Sequence, residues 1–154
     1  MPKKRLVFVD ESGFDEFLYR EYARAPRGEK IYEKVSGKRY DRQSILGAKR
    51  DKEILAPFGY SGTCDTKLFN FWLKTQLVPK LRKGQVVILD NAKIHKSEET
   101  RMIIEKAKCH IVFLPPYSPD LNPIEHTWAH KKQFIRANMH KFSKLGDAIN
   151  YAFS

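Results

Sequence analysis

The chain has 154 residues, with 29 Lys and Arg against 18 Asp and Glu and a formal net charge of +11. That length can bury about 68–70% of the unfolded surface without disulfide staples. A composition 42% hydrophobic and 12% aromatic excludes a chain too polar to offset its ordering entropy. Cys64 and Cys109 have 44 residues between them and no C-x-x-C partner, which excludes a disulfide framework or a cysteine zinc site and suits a reducing compartment. No apolar run approaches the roughly 18 residues of a membrane helix. The four apolar residues before Asp10 are too few for a signal-peptide core, and Pro2 to Arg5 read as the solvated flank of a strand.

In chain order, Leu6 to Val9 is a short apolar run closed by Asp10, the pattern of a fully buried strand. Lys30 to Val35 and Arg39 to Ala48 alternate like strands paired around a Ser36-Gly37 turn, and residues 53 to 58 predict a further short strand. From Asp65 or Thr66, apolar positions Leu68, Phe69, Trp72, Leu73, Leu77 and Leu81 fall at helical steps, with a bend expected near Pro79. Val86 to Leu89 is a second buried strand, closed by Asp90. Ser97 caps another helix, with Glu98 and Glu99 in its first turn and Met102, Ile103 and Ala107 as its apolar face. His110 to Leu114 returns to strand.

Four prolines between residues 115 and 123 make a stiff loop, because each removes a backbone donor. Asn122 and Pro123 suit the start of the next helix, which places Ile124, Trp128 and Ile135 on one side. A last helix from Ser143 carries Leu145, Ala148, Ile149 and Ala152. Strand and helix alternate in the second half, which demands parallel neighbours, while the first half reads as antiparallel. One mixed α/β domain over residues 1–154 is the expected organisation.

The positive charge favours a polyanionic partner, since basic side chains release counterions from phosphates. It concentrates in two stretches, residues 20–52 with eleven basic side chains against five acidic, and residues 126–154 with five against one. Asp10, Asp90 and Glu125 are the acids placed for chemistry: two end buried strands, and one opens a helix after a rigid loop. In open α/β sheets, ligands gather beyond the carboxyl ends of strands. Hard oxygen donors without thiolate suit magnesium or manganese, and a pair of such ions is the known device for in-line attack at a phosphodiester. Taken singly, each acid also has an ordinary reading as a turn former or a helix-dipole partner.

The segments V-F-V-D-E-S-G at 7–13, V-I-L-D-N-A-K-I-H at 87–95 and L-P-P-Y-S-P-D-L-N-P-I-E-H-T-W at 114–128 together resemble the DDE transposases of the Tc/mariner superfamily, most of all their bacterial insertion-sequence (IS six-thirty) branch. The 34 residues between Asp90 and Glu125 match that superfamily's spacing. The resemblance implies a ribonuclease H-like fold with a mixed five-stranded sheet flanked by helices. It makes Asp10, Asp90 and Glu125 the catalytic and metal-ligating residues for two Mg2+ or Mn2+ ions. It further implies cleavage at transposon ends and transfer of the 3′-hydroxyl into TA target sites. The implied partners are terminal inverted repeats and target DNA, engaged by a homodimer in the bacterial cytoplasm beside the nucleoid.

Related proteins carry helix-turn-helix modules ahead of the catalytic domain, and nine residues precede Asp10. End recognition is therefore expected from an upstream helix-turn-helix frame or subunit. Asn91, His95, Tyr117, Lys131 and Lys132 are assigned to site support or DNA contact. Glu11, adjacent to Asp10 on a strand and so facing the other side, is expected in an ion pair. His126 and His130 lack the intervening glutamate of H-E-x-x-H zinc proteases, and Trp128 is expected to pack in the core. A ribonuclease H-like nuclease without strand transfer and an inactive DNA-binding remnant are the competing readings.

Overall fold

The computed structural model describes residues 5–15, 42–116, 118 and 121–154. Both apolar runs that end in aspartate form strands, β1 (Leu6–Asp15) and β4 (Val86–Leu89), and they lie side by side in parallel. With β2 (Arg42–Arg50), β3 (Glu53–Tyr60) and β5 (His110–Phe113) they make one sheet in the order β3-β2-β1-β4-β5. β1, β2 and β3 are antiparallel neighbours, whereas β1, β4 and β5 run parallel, so the sheet is mixed as expected.

β1 differs from its expected length. It continues past Asp10 to Asp15, because its second half pairs with Arg42 to Leu46 after β4 has ended. Asp10 is therefore mid-strand and reaches the cleft because its β4 neighbour stops at Leu89. β2 is flanked by β1 and β3, and the two-residue turn Asp51-Lys52 joins it to β3. The predicted strand over Lys30 to Val35 and its Ser36-Gly37 turn lie outside the described residues.

Helices cover both faces. α1 (Thr66–Trp72) starts at Asp65, whose side chain accepts the Leu68 N–H at 2.8 Å. The expected bend is a widened turn over Leu73–Leu77 followed by a tight turn over Val78–Lys80, which contains Pro79. α2 (Glu98–Lys106) is capped by Ser97, which accepts the Thr100 N–H at 3.1 Å. Its buried stripe is Thr100, Ile103 and Ile104, and Met102 is 52% exposed. Ile103 and Ala107 pack in the core as expected, but Met102 does not: the stripe runs Thr100, Ile103, Ile104 and Ala107 at i, i+3, i+4 and i+7, and Met102 points about 200° away from Thr100.

α1 and α2 pack with Val7, Val9, Val87 and Leu89 in one core. α3 (Ile124–Asn138) and α4 (Leu145–Phe153) build a second core with Phe14 and Ile45. Strand alternation separates the two, since Val7 and Val9 face one side and Phe14 the other.

One close approach sets how α3 sits on the sheet. Trp128, 2% exposed, lies edge-on to Phe14 with centroids 6.4 Å apart and crosses Gly47, where an added Cβ would meet the ring at 3.0 Å. Gly47 pairs directly with Asp10, so the helix carrying Glu125 is seated over the strand position beside that aspartate. Lys49 Nζ reinforces the seat by donating to Thr127 Oγ1 at 2.8 Å. Gly47→Ala is expected to push the indole off this seat and lower stability by about 1–3 kcal/mol through overpacking. Urea unfolding checks it, and unchanged stability would mean that the ring gives way freely.

Candidate active site

Parallel register matches Leu6 with Val86, Val7 with Val87 and Phe8 with Ile88, so Asp10 and Asp90 leave adjacent strands at the same level. The third acid arrives by the proline-rich loop. Leu114 N–H still bonds the Leu89 carbonyl at 2.7 Å, which fixes where that loop leaves the sheet. At the far end of the loop Asn122, 4% exposed, accepts the Ile124 N–H on its side chain at 3.1 Å, and its carbonyl accepts the Glu125 N–H at 3.2 Å. Asp10, Asp90, Asn91, Ser118, Asn122 and Glu125 line a single cleft of about 550 Å³.

The acids differ in environment. Asp10 is 9% exposed, and burial pushes its carboxyl up to about 9, helped by a hydrogen bond with Glu125 and by the Glu11 charge. At neutral pH Asp10 therefore keeps its proton when no cation is bound. Asp90 moves the other way: contact with His95 holds its carboxyl below the usual range against a partial burial effect. Asp90 Oδ1 lies 2.7 Å from His95 Nδ1 and also accepts the Ala92 N–H at 3.1 Å.

His95 is fully buried, with its ring centroid 4.4 Å from that of Phe69 on α1. Burial alone would depress its pKa, but Asp90 on one ring nitrogen and Glu11 Oε2, 3.5 Å from the other, raise it to about 9. Glu11 is thus in the ion pair expected of it. Strand alternation does not carry it far, however: carboxylate oxygens of Asp10, Glu11 and Asp90 all lie within 4.8 Å of one another. The clustered donors are hard oxygens, and the most buried of them retains a proton for want of positive charge. Both properties fit a divalent cation of the magnesium or manganese type.

The cleft collects Asp10, Asp90, Glu125 and Asn91, with His95 directly behind Asp90. Lys131 and Lys132 stand elsewhere. Lys131 Nζ donates to the Ala152 carbonyl at 2.6 Å, and Lys132 Nζ lies 5.6 Å from the Phe14 ring centre, so both brace α3 against its surroundings. Tyr117 lies outside the described residues. Three contributors have no chemical signature in the sequence. Phe69 is an ordinary core position of α1, and buried Asn70 and Thr100 join α1 to α2 by a 2.6 Å hydrogen bond beside the loop that carries His95.

Comparison with known proteins sets this geometry in a family. The family profile described as "DDE superfamily endonuclease" matches residues 5–147. The chain is 32% identical over 78 residues to the human histone-lysine N-methyltransferase SETMAR, covering 50% of this chain and 11% of that one. It is 30% identical over 80 residues to the transposable element Tc1 transposase of Caenorhabditis elegans, covering 52% of this chain and 28% of that one. The matches therefore span only a minor part of both relatives. The Mos1 transposase catalytic domain, solved with raltegravir and manganese, superposes with a TM-score of 0.66 at 14% identity, over 97% of this chain and 68% of that one. Its likeness concerns the fold, which is ribonuclease H-like.

The raised Asp10 pKa carries a stability consequence with a definite sign. Between about 4 and 9 the folded protein binds more protons at this site than the unfolded chain, so metal-free stability falls as pH rises. Asp10→Asn removes that penalty. At pH 8 without metal it is expected to melt about 2–8 °C above the parent, as about 1–2 kcal/mol would give for a domain of this size, with the gap narrowing toward pH 5. Equal melting at both pH values in scanning calorimetry would refute the protonated Asp10.

Proposed function

Because the chain belongs to the DDE superfamily endonucleases, we propose that it is the catalytic domain of a DNA transposase, residues 1–154 forming one such domain. In this reading it cuts at the ends of its element and joins the freed 3′-hydroxyl to target DNA at TA sites. One observation supports it above the others: Asp10, Asp90 and Glu125, separated by 79 and 34 intervening residues, line one cleft. The motifs around them support the insertion-sequence branch of the superfamily and hence a bacterial cytoplasmic setting beside the nucleoid.

Asp10, Asp90 and Glu125 are the proposed holders of two Mg2+ or Mn2+ ions, with Glu11 at the margin. When bound, the ions would activate the attacking oxygen and neutralise the departing one. The protein's own contribution is placement. Asp10 is held by β1 between β2 and β4. Asp90 is held by His95 and the Ala92 amide, and Glu125 by the Asn122 turn and the Trp128 seat. Asn91 lines the cleft where a scissile strand would lie and is assigned to it, and Tyr117 is assigned to DNA contact. The net charge of +11 suits a duplex partner. Recognition of terminal repeats is assigned to a helix-turn-helix module outside these 154 residues, and catalysis to a homodimer on DNA.

The test is incubation of the chain with duplex DNA bearing the element's terminal repeats and a TA-containing target, in magnesium or manganese, against Asp90→Asn. Expected are nicks at the ends and strand-joined products with the parent protein, both reduced to the metal-free background in the variant. Nicks without joined products would favour a ribonuclease H-like nuclease. Cleavage unaffected by Asp90→Asn or by chelation would overturn the assignment.

A further inference from the structure

Glu11 stands beside a metal-ligand candidate without being one in the family motif, and its place suggests an indirect task. Resting on the proposed function above, we infer that Glu11 is a positioning residue that acts through His95 to hold the Asp90 carboxylate in place at the cleft.

Three features on one line of contacts carry this. Asp90 Oδ1 is doubly engaged, by His95 Nδ1 at 2.7 Å and by the Ala92 N–H at 3.1 Å. The carboxylate itself lines the cleft. His95 is in turn wedged in place, fully buried against Phe69 on one side and 3.5 Å from Glu11 Oε2 at its second nitrogen. An imidazole lying between two carboxylates cannot rotate about Cβ–Cγ without bringing carbon to face an anion, so Glu11 fixes the ring and the ring fixes Asp90. Glu11 itself is held by β1, where its backbone pairs with Leu46. The line Glu11–His95–Asp90 thus transfers the rigidity of the sheet to a carboxylate that sits just beyond the last residue of β4.

The competing role for Glu11 is direct coordination, which its proximity to Asp10 and Asp90 would also permit. The two roles differ in how Glu11 and His95 depend on each other, so a double-mutant cycle separates them. The probe is Mn2+ alone, titrated calorimetrically into the full chain, with melting curves to establish folding.

Glu11→Ala is expected to weaken Mn2+ binding about 10- to 100-fold, the usual cost of losing an outer-shell partner. Glu11→Gln, which keeps an oxygen facing Nε2, should recover most of it. In a His95→Ala background, Glu11→Ala should add little further loss. In DNA cleavage the same substitution should lower kcat and leave KM for DNA unchanged. Should Glu11→Ala not fold, Glu11→Met keeps the volume, removes both oxygens and completes the same cycle. Additive losses would overturn the inference in favour of direct coordination, and unchanged Mn2+ affinity in Glu11→Ala would overturn it outright. If the parent chain binds no Mn2+ at millimolar concentration, the metal-dependent function fails first and takes this inference with it, a result distinguishable from failure of the cycle alone.

Discussion

Carboxylates 4 Å apart repel by about 4 kcal/mol per pair at an effective dielectric near 20, and this chain brings four of them to one edge of its sheet. Every feature around the cleft answers that repulsion. Asp10 holds its proton and hydrogen-bonds with Glu125, Asp90 and Glu11 flank a buried imidazole, and Asp90 takes an amide hydrogen as well. These are partial solutions: His95 supplies one positive group and the Asp10 proton another, against four acids. The residual negative charge suits the cleft to a cation, and it stays local although the chain as a whole carries +11.

The acids stay close because the fold leaves them no route apart. Asp10 cannot move without breaking the pairing of β1 to β2, where it faces Gly47, just beyond the Leu6–Phe8 stretch that pairs with β4. Glu125 sits on a helix whose indole lies directly across Gly47, where an added Cβ would meet the ring at 3.0 Å. The two cores have separate duties. The one under α3 and α4 seats Glu125, while the one under α1 and α2 supplies Phe69 and the buried Asn70–Thr100 bond behind His95. A substitution deep in either core can therefore disturb one half of the site and spare the other.

Much of this can be read from the sequence, and the unread parts have a common cause. Apolar runs closed by aspartate identify β1 and β4, capping residues Asp65, Ser97 and Asn122 mark helix starts, and the motifs around Asp10, Asp90 and Glu125 carry the family resemblance. These signals are local, confined to a few consecutive positions. Long-range contacts leave no such mark. β1 continues to Asp15 only because β2, some thirty residues later, offers it a partner. Phe69 reads as one more core aromatic because nothing near it announces His95. Lys131 and Lys132 look like free cations in a basic stretch, yet one donates to a carbonyl of α4 and the other stands over Phe14. Met102 shows a different limit: apolar composition alone does not give the phase of a short helix, and its period decides between neighbours.

The arrangement also ties the site to folding. A buried carboxyl that holds its proton up to about 9 lowers the stability of the empty fold at neutral pH. Any cation selective for the folded state returns that stability, because binding to one state shifts the equilibrium toward it. Stability and metal affinity at Asp10 therefore oppose each other: a residue better suited to the empty fold, such as asparagine, is a poorer ligand. Aspartate at this buried mid-strand position, flanked by Glu11 and facing Glu125, is costly in the empty fold and suited to a charge-compensated cleft.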